Sequence, residues 1–238
     1  MESSRPSSVV DTARGFTLVE LIVVLALIVI ITLIVITSQH NYNRSLIITN
    51  TAYSIALSLR EAQSLGLSSR TFNTIQNAGY GVNFNETDMT KYRVFGDVSS
   101  GGAAVHGGCP TGTPGTPEQK PGNCLYNATT EILTTFNLNR GFKIEDFCGI
   151  RTIGKTPVCA SDTGTTNWRQ MNVVFLRPNT ESIMTMVSTS NTTTGLDCAV
   201  IWIQSPGADP TKKCVVVSQV GQVSVPQTCP AKPFTACP

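Results

Sequence analysis

Residues 15–36 read GFTLVELIVVLALIVIITLIVI, and the last sixteen, Leu21 to Ile36, hold no charge and a single polar residue, Thr32. As a helix those sixteen would extend about 24 Å; counted from Phe16 the helix lengthens to about 31 Å, enough for a bilayer core. Counting from Phe16 brings Glu20 inside the segment, where a lone carboxylate costs several kcal/mol and usually has a function and a partner. A secretory signal would show a shorter apolar region and then a small-residue cleavage site. Here the run is long, VITSQHNYN closes it without such a site, and the polar stretch MESSRPSSVVDTARG lies in front.

Beyond the run, HNYNRSLIITNTAYSIALSLREAQSLGLSSR continues with helical period. Ile48, Ala52, Ile55, Leu59 and Ala62 fall at i, i+4, i+7, i+11 and i+14, one apolar stripe, with Arg60 and Glu61 off it. Gly66 is the expected stop. The periodicity predicts one helix from about Phe16 to Leu65, roughly 75 Å long, with an apolar first half and an amphipathic second half that supports a head.

Gly15-Phe16-Thr17-Leu18-Val19-Glu20 resembles the type III signal of prepilins and pseudopilins. The resemblance implies that a prepilin peptidase cuts after Gly15 and methylates the new N-terminal Phe16, and that Glu20 takes part in filament assembly. In the processed monomer the Phe16 amine, about 6 Å from Glu20 along a helix, is the nearest cation. The implied organisation is a leader peptide over 1–15, a transmembrane or filament-core helix over 16–36, its amphipathic second half over 37–68, and an extracytoplasmic β-rich head over 69–238.

From Ser69 onward short β-like runs replace the helical period. Strands are expected near Tyr80–Phe84, Lys91–Phe95, Ile132–Leu138, Phe142–Phe147, Asn172–Leu176, Ile183–Ser188, Ala199–Ile203, Val215–Ser218 and Gln222–Val225. Polar residues interleave most of them, which favours antiparallel pairing. The fold class is therefore α+β: a long N-terminal helix packed on an antiparallel β-sheet head. The helix end LREAQSLGLSSR, with YGVNF, VVFLRPNTE and VVVSQVGQVSV, is similar to minor pseudopilin H and FimT-type minor pilins. Residues 99–123, rich in Gly and Pro, read as a long surface loop.

Eight cysteines, all after residue 100, place the head in an oxidising compartment as disulfides. Nearest-neighbour pairing joins Cys109–Cys124, Cys148–Cys159, Cys198–Cys214 and Cys229–Cys237, one of roughly a hundred connectivities. The last pair would pin the Pro-rich tail, and relatives in the pilin family commonly staple this region. No CxxC occurs and His40 and His106 join no ligand cluster, so neither a metal nor a cofactor is expected. Charged residues are 13% and the formal net charge is +2, which excludes a histone-like binder or an acidic tail.

Gly149-Ile-Arg-Thr-Ile-Gly154-Lys155-Thr156 fits the phosphate-loop pattern G-x-x-x-x-G-K-[ST]. That chemistry needs a helix opening at the lysine, so that backbone N–H groups meet the phosphates. Pro157 follows at once and nothing apolar continues a helix, so the match reads as coincidence and the chain as no enzyme. The expected function is a structural subunit, a minor pilin or pseudopilin of a type IV pilus or type II secretion pseudopilus, helping to initiate or cap the filament. It would rest in the bacterial inner membrane with a periplasmic head. Partners would be membrane lipid before extraction, other pilins, the prepilin peptidase and an assembly platform protein. The alternative is a DNA-binding minor pilin of an uptake pilus. DNA-binding relatives of the FimT type carry a basic G-R-x-R motif, but the matching Gly221-Gln222-Val223-Ser224 lacks both arginines and leaves only Lys212 and Lys213 nearby.

Overall fold

A computed structural model describes residues 15–68, 70–73, 75–76, 78–99, 122–127, 129–162, 164, 166–178, 180–232, 234 and 236–237, the side chains of 37–41 and 76 excepted. Most of the leader, nearly all of the 99–123 loop, Cys109, His40 and His106 thus lie outside the described side chains. The chain divides into two compact units, Met1–Asn43 and Arg44–Pro238.

Helix α1 covers Leu18–Leu67, 50 residues. In the first unit its side chains from Leu18 to Ile36 are all exposed. In the second unit the predicted stripe is buried: Ile48, Ala52, Ile55, Leu59 and Ala62 each have no accessible surface. Gly66 does not end the helix; it is a buried helical residue beside the Phe175 backbone carbonyl, where a Cβ would collide. The glycine is there for close approach of helix and sheet rather than as a cap.

The head strands are β1 (Thr71–Phe72), β2 (Ile75–Gln76), β3 (Gly79–Asn85), β4 (Lys91–Asp97), β5 (Ile132–Asn137), β6 (Lys143–Arg151), β7 (Pro157–Cys159), β8 (Trp168–Phe175), β9 (Ser182–Ser188), β10 (Thr193–Gln204), β11 (Lys212–Ser218) and β12 (Val223–Ser224). All their pairings are antiparallel. Three of them were not expected. β1 and β2 are two residues each, below the length at which alternation can be read. β7 starts on Pro157 and is tolerated as an edge strand, where a missing N–H costs no ladder bond.

Hydrogen bonding links β3–β12 into one sheet, which branches at β10. Its first residues, Thr193–Leu196, pair with β9, continuing the order β9-β8-β3-β4-β5. From Cys198 on, β10 lies between β6 and β11, with β7 and β12 outside them. Asp197, between these stretches, is skipped in the register with β6, a bulge that redirects the strand. Alternation then sorts the faces. Ala199, Ile201 and Ile203 join the core that includes the helix stripe, whereas Cys198, Val200 and Trp202 face the opposite side in a second apolar cluster. A α+β fold with a disulfide-stapled antiparallel sheet results.

Polar contacts fix the helix on its sheet. Ser58 Oγ and the Tyr92 hydroxyl share a buried hydrogen bond of 3.1 Å, and Arg60 donates to the Val223 carbonyl at 3.0 Å. Gln63 donates to the carbonyls of Thr180 and Gly221.

Candidate functional site

At the processing motif, Gly15 has no atom within 4 Å of the position a Cβ would occupy, and Phe16 is 84% exposed. Among the described residues nothing packs against the Gly15–Phe16 step. Helix α1 begins two residues later, at Leu18, because Thr17 caps it. The Thr17 hydroxyl accepts the Glu20 N–H at 3.2 Å, and the Thr17 carbonyl accepts the Leu21 N–H at 3.2 Å. Thr17 and Glu20 thus stand at the N-cap and N3 positions of a T-x-x-E capping pattern. Glu20 lies in the first turn, where the unpaired N–H groups and helix dipole favour an anion. Two corrections follow. Phe16 precedes the helix, so an axial distance from Phe16 to Glu20 along a helix does not apply. Thr17, which the motif reading passed over, positions the turn that holds Glu20; its signal was the T-x-x-E spacing itself.

Among the described residues one helical span, Leu18–Ile36 of α1, is long and apolar enough to cross a membrane, and none of its apolar window is buried inside the protein.

Cys148 and Cys159 are joined as expected, as a directly opposed pair on β6 and β7 with Cα atoms 4.0 Å apart. The other two expected pairs of the C-terminal half are not formed. Cys198 bonds Cys237, and Cys214 bonds Cys229, with Cα–Cα distances of 5.8 and 5.7 Å. Register explains the exchange: Cys198 stands opposite Ser218 and Cys214 opposite Trp202, four ladder positions apart. That is about 13 Å along the strand, beyond disulfide reach. Cys124 is also disulfide-bonded, and its expected partner Cys109 lies outside the described residues.

Asp146 sits beside Cys148 and Cys159 in a triad whose ligand atoms lie within 4.8 Å of one another. Both sulfurs are spent in a disulfide, so the triad offers no thiolate to a metal. Asp146 is instead a buried acceptor: Ser161 Oγ donates to it at 2.6 Å, the Phe147 N–H at 2.9 Å and Lys232 Nζ at 2.9 Å.

A second acidic cluster frames the chain on either side of 100–121. Asp97 accepts the N–H groups of Asn123 (2.9 Å) and Cys124 (2.6 Å), and Glu131 those of Val98, Ser99 and Asn127. Both carboxyls are buried. Burial pushes the Asp97 carboxyl up to about 7, the two amide hydrogen bonds opposing and the Glu131 charge adding to the rise. These bonds tie the chain on both flanks of 100–121 to the sheet, which is a structural role.

The phosphate-loop match falls on the β6–β7 hairpin. Gly154 and Lys155 have positive φ in its turn, Pro157 opens β7, and Lys155 Nζ is 2.5 Å from Asp197 Oδ2. Among the described residues the lysine is followed by strand β7 and not by the helix that a phosphate cradle needs. The lysines near the would-be DNA motif are engaged as well: Lys212 pairs with Glu145 at 2.5 Å, and Lys213 donates to the Gln227 carbonyl. Gly221, in the turn before β12, has φ +83°, and its carbonyl receives Gln63.

Residues 11–36 match the family described as the prokaryotic N-terminal methylation motif. The match spans the Gly15–Phe16 step, the capped first turn with Glu20 and the whole exposed apolar run, and it supports a type IV pilin or pseudopilin family. With the exposed apolar helix it fits a membrane-anchored, pilin-like protein. No curated protein and no solved structure matches the chain.

Proposed function

We propose that the chain is a minor subunit of a type IV pilus or a type II secretion pseudopilus, most like minor pseudopilin H and the FimT-type minor pilins. The observation that carries this reading is the methylation motif placed on an apolar helix with no intramolecular cover. In this reading a prepilin peptidase cuts between Gly15 and Phe16 on the cytoplasmic side and methylates the Phe16 amine. The chain waits in the inner membrane with its head in the periplasm. An assembly platform protein then helps to transfer the Leu18–Ile36 helix from lipid to the helices of neighbouring subunits, which exchanges one apolar surrounding for another. Glu20 serves in that transfer by pairing with the terminal amine of an adjacent subunit, a charge pair that apolar surroundings strengthen. A head closed by disulfides suits the oxidising side of the membrane. Engagement of Lys212 and Lys213 within the head weakens the competing DNA-uptake reading.

Mass spectrometry of the protein purified from membranes of cells with an active prepilin peptidase tests the proposal. The expected product starts at N-methylated Phe16, and an intact Met1 terminus would overturn it.

A further inference from the structure

The outward cluster on β6, β10 and β11 is covered by the chain's own tail. After Ser224 no described residue lies in a strand or helix. Cys229 is tied to Cys214 on β11 and Cys237 to Cys198 on β10. Between these ties Phe234 is 7% exposed, with its ring centroid 5.9 Å from that of Trp202. Lys232 Nζ sits 4.6 Å from the Trp202 ring centroid and donates to buried Asp146. Among its described residues the tail is thus held by two covalent ties and side-chain contacts, without a strand ladder.

The cysteine residues differ in exposure. Cys148, Cys159, Cys198 and Cys214 are buried, Cys229 is half-buried and Cys237 belongs to an exposed residue. We propose that the tail is a strap which a dithiol opens by thiol exchange at Cys237, baring the Trp202 face while the sheet stays folded. A thiolate of the dithiol attacks Cys237 Sγ, forming a mixed disulfide and breaking the bond to Cys198. Cys198 leaves as a thiolate and takes a proton. The second thiol of the reagent then closes the reagent's own disulfide, releasing Cys237 as a thiol, so the dithiol is oxidised and the protein disulfide reduced. Cys214–Cys229 opens by the same exchange at Cys229, after which non-covalent contacts, those of Phe234 and Lys232 and the Lys213 bond to the Gln227 carbonyl among them, are left to offset the chain entropy lost on ordering the tail. Cys148 and Cys159 are both buried residues, and their bond keeps the β6–β7 hairpin closed.

The test treats the full chain in detergent with limiting dithiothreitol, quenches with an alkylating reagent and maps the labelled cysteines by mass spectrometry. Labels are expected on Cys198 and Cys237 at least tenfold faster than on Cys148 and Cys159. Chymotrypsin should cut after Phe234 in the opened species only, with the far-ultraviolet circular dichroism unchanged. A Cys198→Ala/Cys237→Ala variant should show faster cutting at Phe234 without reagent. Equal or earlier labelling of Cys148 and Cys159 would overturn the proposal. So would a Phe234 bond that stays protected in the double variant, or loss of the sheet signal when Cys198–Cys237 opens in the wild-type chain.

Discussion

Asp97 makes head stability depend on pH in an unusual direction. Its carboxyl is raised from 3.8 to about 7 because it is buried, with the Glu131 carboxylate adding to the rise and the N–H groups of Asn123 and Cys124 pulling the other way. The native state therefore binds a proton that the unfolded chain releases at far lower pH. Stability from this group is fully present below about pH 4 and is lost as pH rises through about 7. Each pH step inside that window is worth about 1.4 kcal/mol, so acidifying from pH 8 to pH 5 should add on the order of 2–3 kcal/mol. Asp97→Asn should remove that slope. It should also cost about 1–3 kcal/mol at pH 5, because the carboxamide nitrogen then faces a backbone N–H that has lost its acceptor. Urea unfolding of the detergent-solubilised chain, followed by the emission of Trp168 and Trp202 at pH 5, 6, 7 and 8, measures both effects. Wild-type stability that is flat or rises toward pH 8, or a variant with an unchanged slope, would refute the reasoning.

In the assembly segment, Glu20→Ala should leave membrane insertion and cleavage intact while reducing incorporation into sheared filaments; wild-type incorporation would remove the assembly role of Glu20. Leu59→Ala, in the fully buried helix stripe, should destabilise the head by about 2–5 kcal/mol, read as a lower urea midpoint in the same unfolding assay. The chain should bind duplex DNA weakly and lose that binding steeply with salt, since Lys212 and Lys213 are already engaged; sub-micromolar affinity by polarisation at physiological salt would contradict this. Added nucleotide should not raise the melting temperature, and a saturable increase abolished by Lys155→Ala would reverse the reading of 149–156 as a hairpin.

The sequence by itself determined what is written by neighbouring residues. The uninterrupted run from Leu21 to Ile36 specifies an apolar helix, and the spacing of Ile48, Ala52, Ile55, Leu59 and Ala62 specifies which side of it is buried, because a helix brings residues three and four apart onto one face. Nine strands were legible from local β-rich runs, and Cys148–Cys159 followed from pairing each cysteine with its nearest neighbour in sequence. Tertiary structure alone decided that Gly66 faces a sheet carbonyl rather than ending the helix, and that β10 breaks register at Asp197, pairing with β9 before it and lying between β6 and β11 after it. It also decided that Cys198 reaches Cys237 instead of Cys214. Closeness in sequence says little about that choice, because the β10–β11 register slides the two nearer cysteines four positions apart while the tail folds back over both strands.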